Sequence, residues 1–283
     1  MLWLPTSETE RQKEVYLQVG RYLLEQFSIP GFRSHATIGL VDRDRIQFYH
    51  ANHSAILVSS AINFGGSDGT DGLDKMIAVV IAFSRLSLRD NGILHNLLDG
   101  NLFRENKDLV TSLTTPDVRE IQEGKRLQFG GDEKTRPFTL TYGKLISREP
   151  SLVGRSTVVL HATTTHSEWK GINLVVKISW PGSVRVPESK FLRKAIEVAG
   201  RKPNQWALKH LPRLLFDQDI VFGPDSTNGK VASLFKDADF VNGEYKYEER
   251  TLRIIVQERL YPITMLTDVK DIAQVLLDVA CGT

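Results

Sequence analysis

Residues 172–199 read INLVVKISWPGSVRVPESKFLRKAIEVA. Ile172–Trp180 is apolar and rich in β-branched residues, which favours a strand, and Lys177 is the one cation within it. Pro187 opens a helix over Glu188–Ala199, and Gly200 and Pro203 close it. Lysine in an apolar strand has two readings. Its stem lies along apolar surface while the ammonium reaches water, or an acid from the neighbouring helix holds it in place. Two glutamates compete for that second role. Glu188 lies 11 residues on (188 − 177), in the first helical turn, where its charge suits the positive helix end. Glu197 lies 20 residues on (197 − 177), well inside the helix, and is the expected partner.

Working outward, Phe138–Ile146 and Ser156–Thr163 read as strands before this segment, and Leu211–Phe222 and Leu252–Leu260 as strands after it. Residues 223–251 read as a long polar insertion between the last two strands. Val269–Cys281 closes the chain with an amphipathic pattern carried by Ile272, Val275, Leu276 and Val279. Upstream, residues 9–27 place Val15, Val19, Tyr22, Leu23 and Phe27 at helical spacing, with Pro30-Gly31 as the stop. Ala36–Val41 and Ile46–His50 follow as strands around the polar turn Asp42-Arg-Asp-Arg45, and the apolar run Ala55–Phe64 extends that sheet. Leu73–Leu88 reads as a buried helix with Met76, Val79, Val80 and Phe83 on its apolar face. Polar clusters, Pro116, Gly130-Gly131 and Pro137 dominate residues 89–137, apart from a short helical pattern at Asp117–Glu123, and place a domain boundary near 137. The expected fold is α+β, with an α/β accessory region over 1–137 and a second unit over 138–283.

Composition narrows the classes. Of 283 residues, 41% are hydrophobic and 25% charged, as in an ordinary globular chain that buries its own core. Thirty-six basic against 34 acidic residues leave a formal charge of +2, so no nucleic-acid partner is expected. A single cysteine, Cys281, excludes an intrachain disulfide and fits a reducing compartment, cytoplasmic or nuclear. No run approaches the roughly 18 apolar residues of a membrane span, so no membrane partner is expected. The histidines and lone cysteine form no zinc pattern, and no metal ligands are assigned.

The order of strands and helix over 138–260 resembles the small lobe of a protein kinase: a five-stranded antiparallel sheet plus one helix. Leu174-Val-Val-Lys-Ile178 is similar to the V-A-I-K strand of kinases. The resemblance implies that Lys177 neutralises the α- and β-phosphates of ATP and that Glu197 orients it. Four segments narrow the resemblance to the fungal-type protein kinase family: Tyr142–His161, Leu174–Gly182, Trp206-Ala-Leu-Lys-His-Leu-Pro212 and Val256-Gln-Glu-Arg-Leu-Tyr-Pro262. It covers about residues 140–281, and residues 9–88 are similar to the family's upstream region in layout only. By the same resemblance, Glu258 and Leu260 lie in a hinge whose backbone binds adenine, and Gln257 borders the back of the pocket. Gly154 and Arg155 occupy the turn that faces phosphate.

The family pattern fails in two places. Kinase phosphate loops carry several glycines, whereas Pro150-Ser-Leu-Val-Gly-Arg155 has one. No segment matches the catalytic loop, with its base aspartate and metal-binding asparagine, or a D-F-G-type aspartate. The reading is a truncated fungal-type kinase, expected to be inactive as this chain because the catalytic and metal-binding loops are absent. It is the ATP-binding lobe of a Ser/Thr phosphotransferase, with ATP as ligand, Mg²⁺ by resemblance although its ligands are missing here, and a protein substrate. The alternative is a non-catalytic, pseudokinase-like binding or regulatory protein. Gly65–Gly72 lacks the Gly-Lys-Ser/Thr ending of a P-loop and reads as a surface loop. Recruiting Asp42, Asp44 and Glu123-Gly-Lys125 for a nuclease site rests on a pattern common by chance in charged sequences.

Overall fold

The computed structural model describes residues 8–28, 32–64, 70–87, 90–94, 126–129, 138–201, 211–237, 247–261, 267–270 and 273–274, with a few single positions besides. Helix α1 (Glu8–Ser28) leads into the hairpin β1 (His35–Asp42) and β2 (Arg45–Asn52). The hairpin turns tightly: Asp42 pairs with Arg45 in the ladder, and Arg43 between them takes a positive φ of 55°. The apolar run after β2 forms two short strands, β3 (Ile56–Val58) and β4 (Ile62–Asn63), both on β2. Helix α1 lays Val19, Leu23 and Phe27 onto Ala36, Tyr49 and Ala51 of this sheet, whereas Tyr22 faces solvent.

Helix α2 (Thr70–Ser84) forms where helix was expected, but its expected burial does not hold. Of the expected apolar face, Met76 and Val79 are half-buried while Val80 is exposed, as are Leu73, Ile77 and Ile81 beside it. The helix runs beside the two-residue strand β4, which offers too little surface to cover it. Phe83 makes its own contact, stacking on Phe48 with ring centroids 5.2 Å apart.

The second sheet holds six strands where five were expected. Its order is β5 (Arg126–Phe129), β6 (Phe138–Glu149), β7 (Thr157–Thr164), β8 (Leu174–Ser179), β10 (Leu252–Glu258) and β9 (Leu214–Ile220), every neighbouring pair antiparallel. The extra member, β5, precedes residue 137, so the expected boundary falls between two paired strands of one sheet. Leu127-Gln-Phe129 is too short, between glycines, to stand out from its polar surroundings. One face of the sheet packs Leu127, Leu140, Leu160, Leu174, Val176, Ile178, Leu252, Ile254 and Val256 into the main core. At about 25 cal/mol per Å² of apolar surface, this burial is the main stabilising term.

Helix α3 (Glu188–Ala199) has the bounds read from sequence. Helix α4 (Thr227–Asp237) lies inside the stretch read as a polar insertion. Its start is marked by Ser226, whose Oγ accepts from Gly229 N–H at 3.0 Å as an N-cap. Val231 and Ala232 are its buried residues. The closing helix expected over Val269–Cys281, and the short one over Asp117–Glu123, lie largely or wholly outside the described residues.

The two sheets interlock. Leu152, from the β6–β7 turn, packs into the α1 core, while Phe32 from the α1–β1 connection belongs to the main core. Between them His53 stacks on Trp180 at 4.4 Å and lies against Phe27 at 4.7 Å. No helix among the described residues is long and apolar enough to cross a membrane.

Candidate functional site

The face of the six-stranded sheet opposite the main core carries the polar chemistry. Side chains alternate along a strand, so Leu174, Val176 and Ile178 enter the core while Lys177 faces the other side. The ladder sets Lys177 opposite Val159 on β7 and Ile255 on β10, and Ile255 opposite Asp217 on β9. Arg253 and Asp219 form the neighbouring row. One surface therefore carries Lys177 on β8 and Arg253 on β10, with Asp217 and Asp219 on β9.

Helix α3 touches this surface through its first turns. Lys177 Nζ donates to Glu188 Oε2 at 2.6 Å. Ser189 Oγ donates to Asp217 Oδ2 at 2.5 Å, and Arg193 forks onto the same carboxylate. Ser189 is 1% exposed, so its hydroxyl depends on Asp217. In the next row, Arg253 makes a bidentate pair with Asp219, at 2.6 Å through Nε and 2.8 Å through Nη2. That hydrogen bonding raises the guanidinium pKa further above its ordinary value.

Glu197, the expected partner of Lys177, is bonded elsewhere. Its carboxylate accepts from Lys194 Nζ at 2.9 Å and from Arg201, both on its own side of the helix. The hydrogen bond from Lys194, with the neighbouring charges, holds its pKa below the usual carboxylate value. Helix geometry explains the exchange. Nine residues at about 1.5 Å rise carry Glu197 roughly 13 Å along the axis from Glu188, and α3 meets the sheet at its N-terminal end.

The β6–β7 turn holds Gly154 and Arg155. Gly154 has φ 150°, a conformation that favours glycine, and its N–H donates to His53 O at 3.0 Å. The Arg155 carbonyl accepts from Trp180 N–H at 2.6 Å. This turn is tied down at two points, on the first sheet and on the end of β8.

At the far end of β10, Gln257 lies opposite Val175 on the Lys177 face, while Glu258 pairs with Arg213 at 2.9 Å. The backbone N–H of Glu258 donates to Arg213 O at 2.9 Å, and that of Arg259 to Asn173 O at 2.8 Å. Leu260 is exposed.

Tested against ATP, these residues fit on one side. Lys177 is a partly exposed cation with its stem fixed, suited to a phosphate oxygen. The donors of Glu258 and Arg259 are already used within the protein, so they do not fit adenine recognition. Asp217 and Asp219 face the lysine side but are paired with Arg193 and Arg253, so neither fits a magnesium ligand.

Sequence reading missed Asp217, Ser189, Arg193 and the Arg253–Asp219 pair. Two signals were available: acids two apart in Asp217-Gln-Asp219, and a second lone cation, Arg253, in the apolar run Leu252–Val256.

A family model described as fungal protein kinase matches residues 4–278, nearly the whole chain. The chain belongs to the fungal protein kinase family. The family match takes in the first sheet as well, where the sequence resemblance was one of layout alone. Neither the curated proteins nor the solved structures include a match to the chain. Membership of the fungal kinases accords with the mixed α and β architecture.

Proposed function

We propose that the Lys177 face is the phosphate-binding side of an ATP site, in the small lobe of a Ser/Thr-type protein phosphotransferase. The observation that carries this reading is the 2.6 Å pair between Lys177 and Glu188. Lysine on a strand with its ammonium fixed by a carboxylate from the next helix is the arrangement that places a cation on nucleotide phosphates. In this reading Lys177 binds the α- and β-phosphates, and Glu188 takes the orienting role first expected of Glu197. Arg155 and Gly154 border the phosphates from the β6–β7 turn, and Gln257 borders the base. ATP supplies the transferable phosphoryl group when bound.

A second reading, a non-catalytic regulatory protein built on the same lobe, is favoured by a different observation. The hinge donors of Glu258 and Arg259 and the turn at Gly154 are engaged within the protein. A thermal-shift titration with ATP, with and without Mg²⁺, separates the two. A ligand that binds only the folded state raises its apparent stability by about 2.7 kcal/mol at one hundred times its Kd. A rise with ATP concentration that disappears in Lys177→Ala supports the nucleotide site. A folded protein with no shift favours the regulatory reading.

A further inference from the structure

A pocket lies at the seam between the two sheets, lined by Asn52, His53, Trp180, Asn228, Tyr247 and Arg250 among others. It lies off the Lys177 face and borders the main core through Trp180. Three of its lining residues carry buried polar atoms that have no hydrogen-bond partner among the described residues: His53 Nδ1, Asn228 Oδ1 and Arg250 Nε. They come from three different parts of the chain: the end of β2, helix α4 and the approach to β10. Buried polar groups left unpaired are costly and rare, and three meeting at one pocket calls for a shared partner.

The chemistry of the three atoms is fixed. His53 Nε2 lies 2.9 Å from Arg33 O, an acceptor, so Nε2 carries the proton and Nδ1 presents a lone pair. Burial pushes this imidazole down to about 3, so it is neutral near pH 7. Asn228 Oδ1 is an acceptor and Arg250 Nε–H is a donor. The guest must accept one hydrogen bond and donate two. The cavity, at about 10 Å³, has room for one solvent-sized guest.

We infer that this pocket is a built site for a single structural water, which accepts from Arg250 Nε–H and donates to His53 Nδ1 and Asn228 Oδ1. An ammonium ion does not fit, because it offers Arg250 no lone pair. A halide does not fit, because it would face the lone pairs of His53 and Asn228. A phosphate or sugar is too large. The water joins the first sheet, α4 and the second sheet at one point, next to the His53–Trp180 stack.

A crystal structure of the full chain at about 2 Å or better tests this directly. One ordered peak is expected within about 2.7–3.2 Å of all three atoms. No peak, or direct bonding among the three side chains, overturns it. Crystals soaked in bromide provide a second arm, since an anomalous peak at the site would make the guest an anion and overturn the assignment. In solution, His53 should show the Nε2–H tautomer by ¹⁵N NMR, with a water cross-peak to its ring protons. Asn228→Leu should abolish that cross-peak, and its persistence in a folded variant would place the water elsewhere.

Discussion

Lys177 and Glu188 are 11 residues apart in the chain and 2.6 Å apart at their charged atoms. The pair joins a central strand of the six-stranded sheet to the first residue of α3. Glu188 is about half exposed, so the bond adds little to stability, of order 0–1 kcal/mol. Its effect is positional: it removes freedom from a long flexible cation before any anion arrives.

Glu188→Ala should therefore weaken ATP binding about tenfold, or ~1.4 kcal/mol, with little change in unfolding. Glu197→Ala should leave ATP binding unchanged, because among the described residues its carboxylate is bonded to Lys194 and Arg201. Calorimetric titration of both variants checks this, and the reverse ranking would restore Glu197 as the partner.

Asp217 is the latch between α3 and β9. Removing its carboxylate in Asp217→Ala leaves the buried Ser189 hydroxyl unpaired and frees Arg193. The expected loss is about 1–3 kcal/mol, read from the urea midpoint. Restoring the apolar option in the double variant with Ser189→Ala should recover part of it, since both polar partners are then absent.

Ile254 is fully buried in β10, within the main core. Ile254→Ala should cost about 2–5 kcal/mol through lost transfer and the cavity left behind. Val221 sits just beyond β9 and is mostly exposed, so Val221→Ala should stay within about 0.5 kcal/mol. Denaturant unfolding of the two variants distinguishes them.

Stability should fall with acid in a defined window. His53 is pushed to about 3 and His50 to about 4, chiefly by burial, against about 6.5 in the unfolded chain. Between those values the unfolded chain binds more protons, so stability is full above about pH 6.5 and is lost as pH falls towards 3. The groups facing His53 are Arg250, whose charge lowers its pKa, and the Arg33 carbonyl, which raises it. His53→Phe keeps a ring between Phe27 and Trp180 and should show a flatter profile from pH 7 to 4. An unchanged slope would assign the dependence to other groups.

The segment around Lys177 was legible because each signal there is local. The β-branched run, Pro187 and Gly200 mark β8 and α3 without reference to anything distant. Glu188 was passed over because the choice between two acids depends on how α3 tilts against β9, which Asp217 decides from 28 residues past Ser189. Helix α4 was hidden by Gly223, Pro224 and Gly229, turn residues that in fact pack around its N-terminus. The face of α2 is only half covered because its helical periodicity reports an apolar side, and the strand beside it is too short to bury all of one.

Strand β5 has a consequence for how the chain can be divided. It supplies four rungs to β6, from Phe129–Phe138 to Arg126–Thr141. A protein begun at Phe138 would keep the Lys177 face but lay bare the backbone of Phe138–Thr141, beside the buried Phe138 and Leu140. Unpaired strands of that kind recruit strands from other molecules. Such a protein moves the open edge of the sheet from the four-residue β5 to the longer β6 (Phe138–Glu149). It should self-associate more than the full chain, which size-exclusion of the two checks.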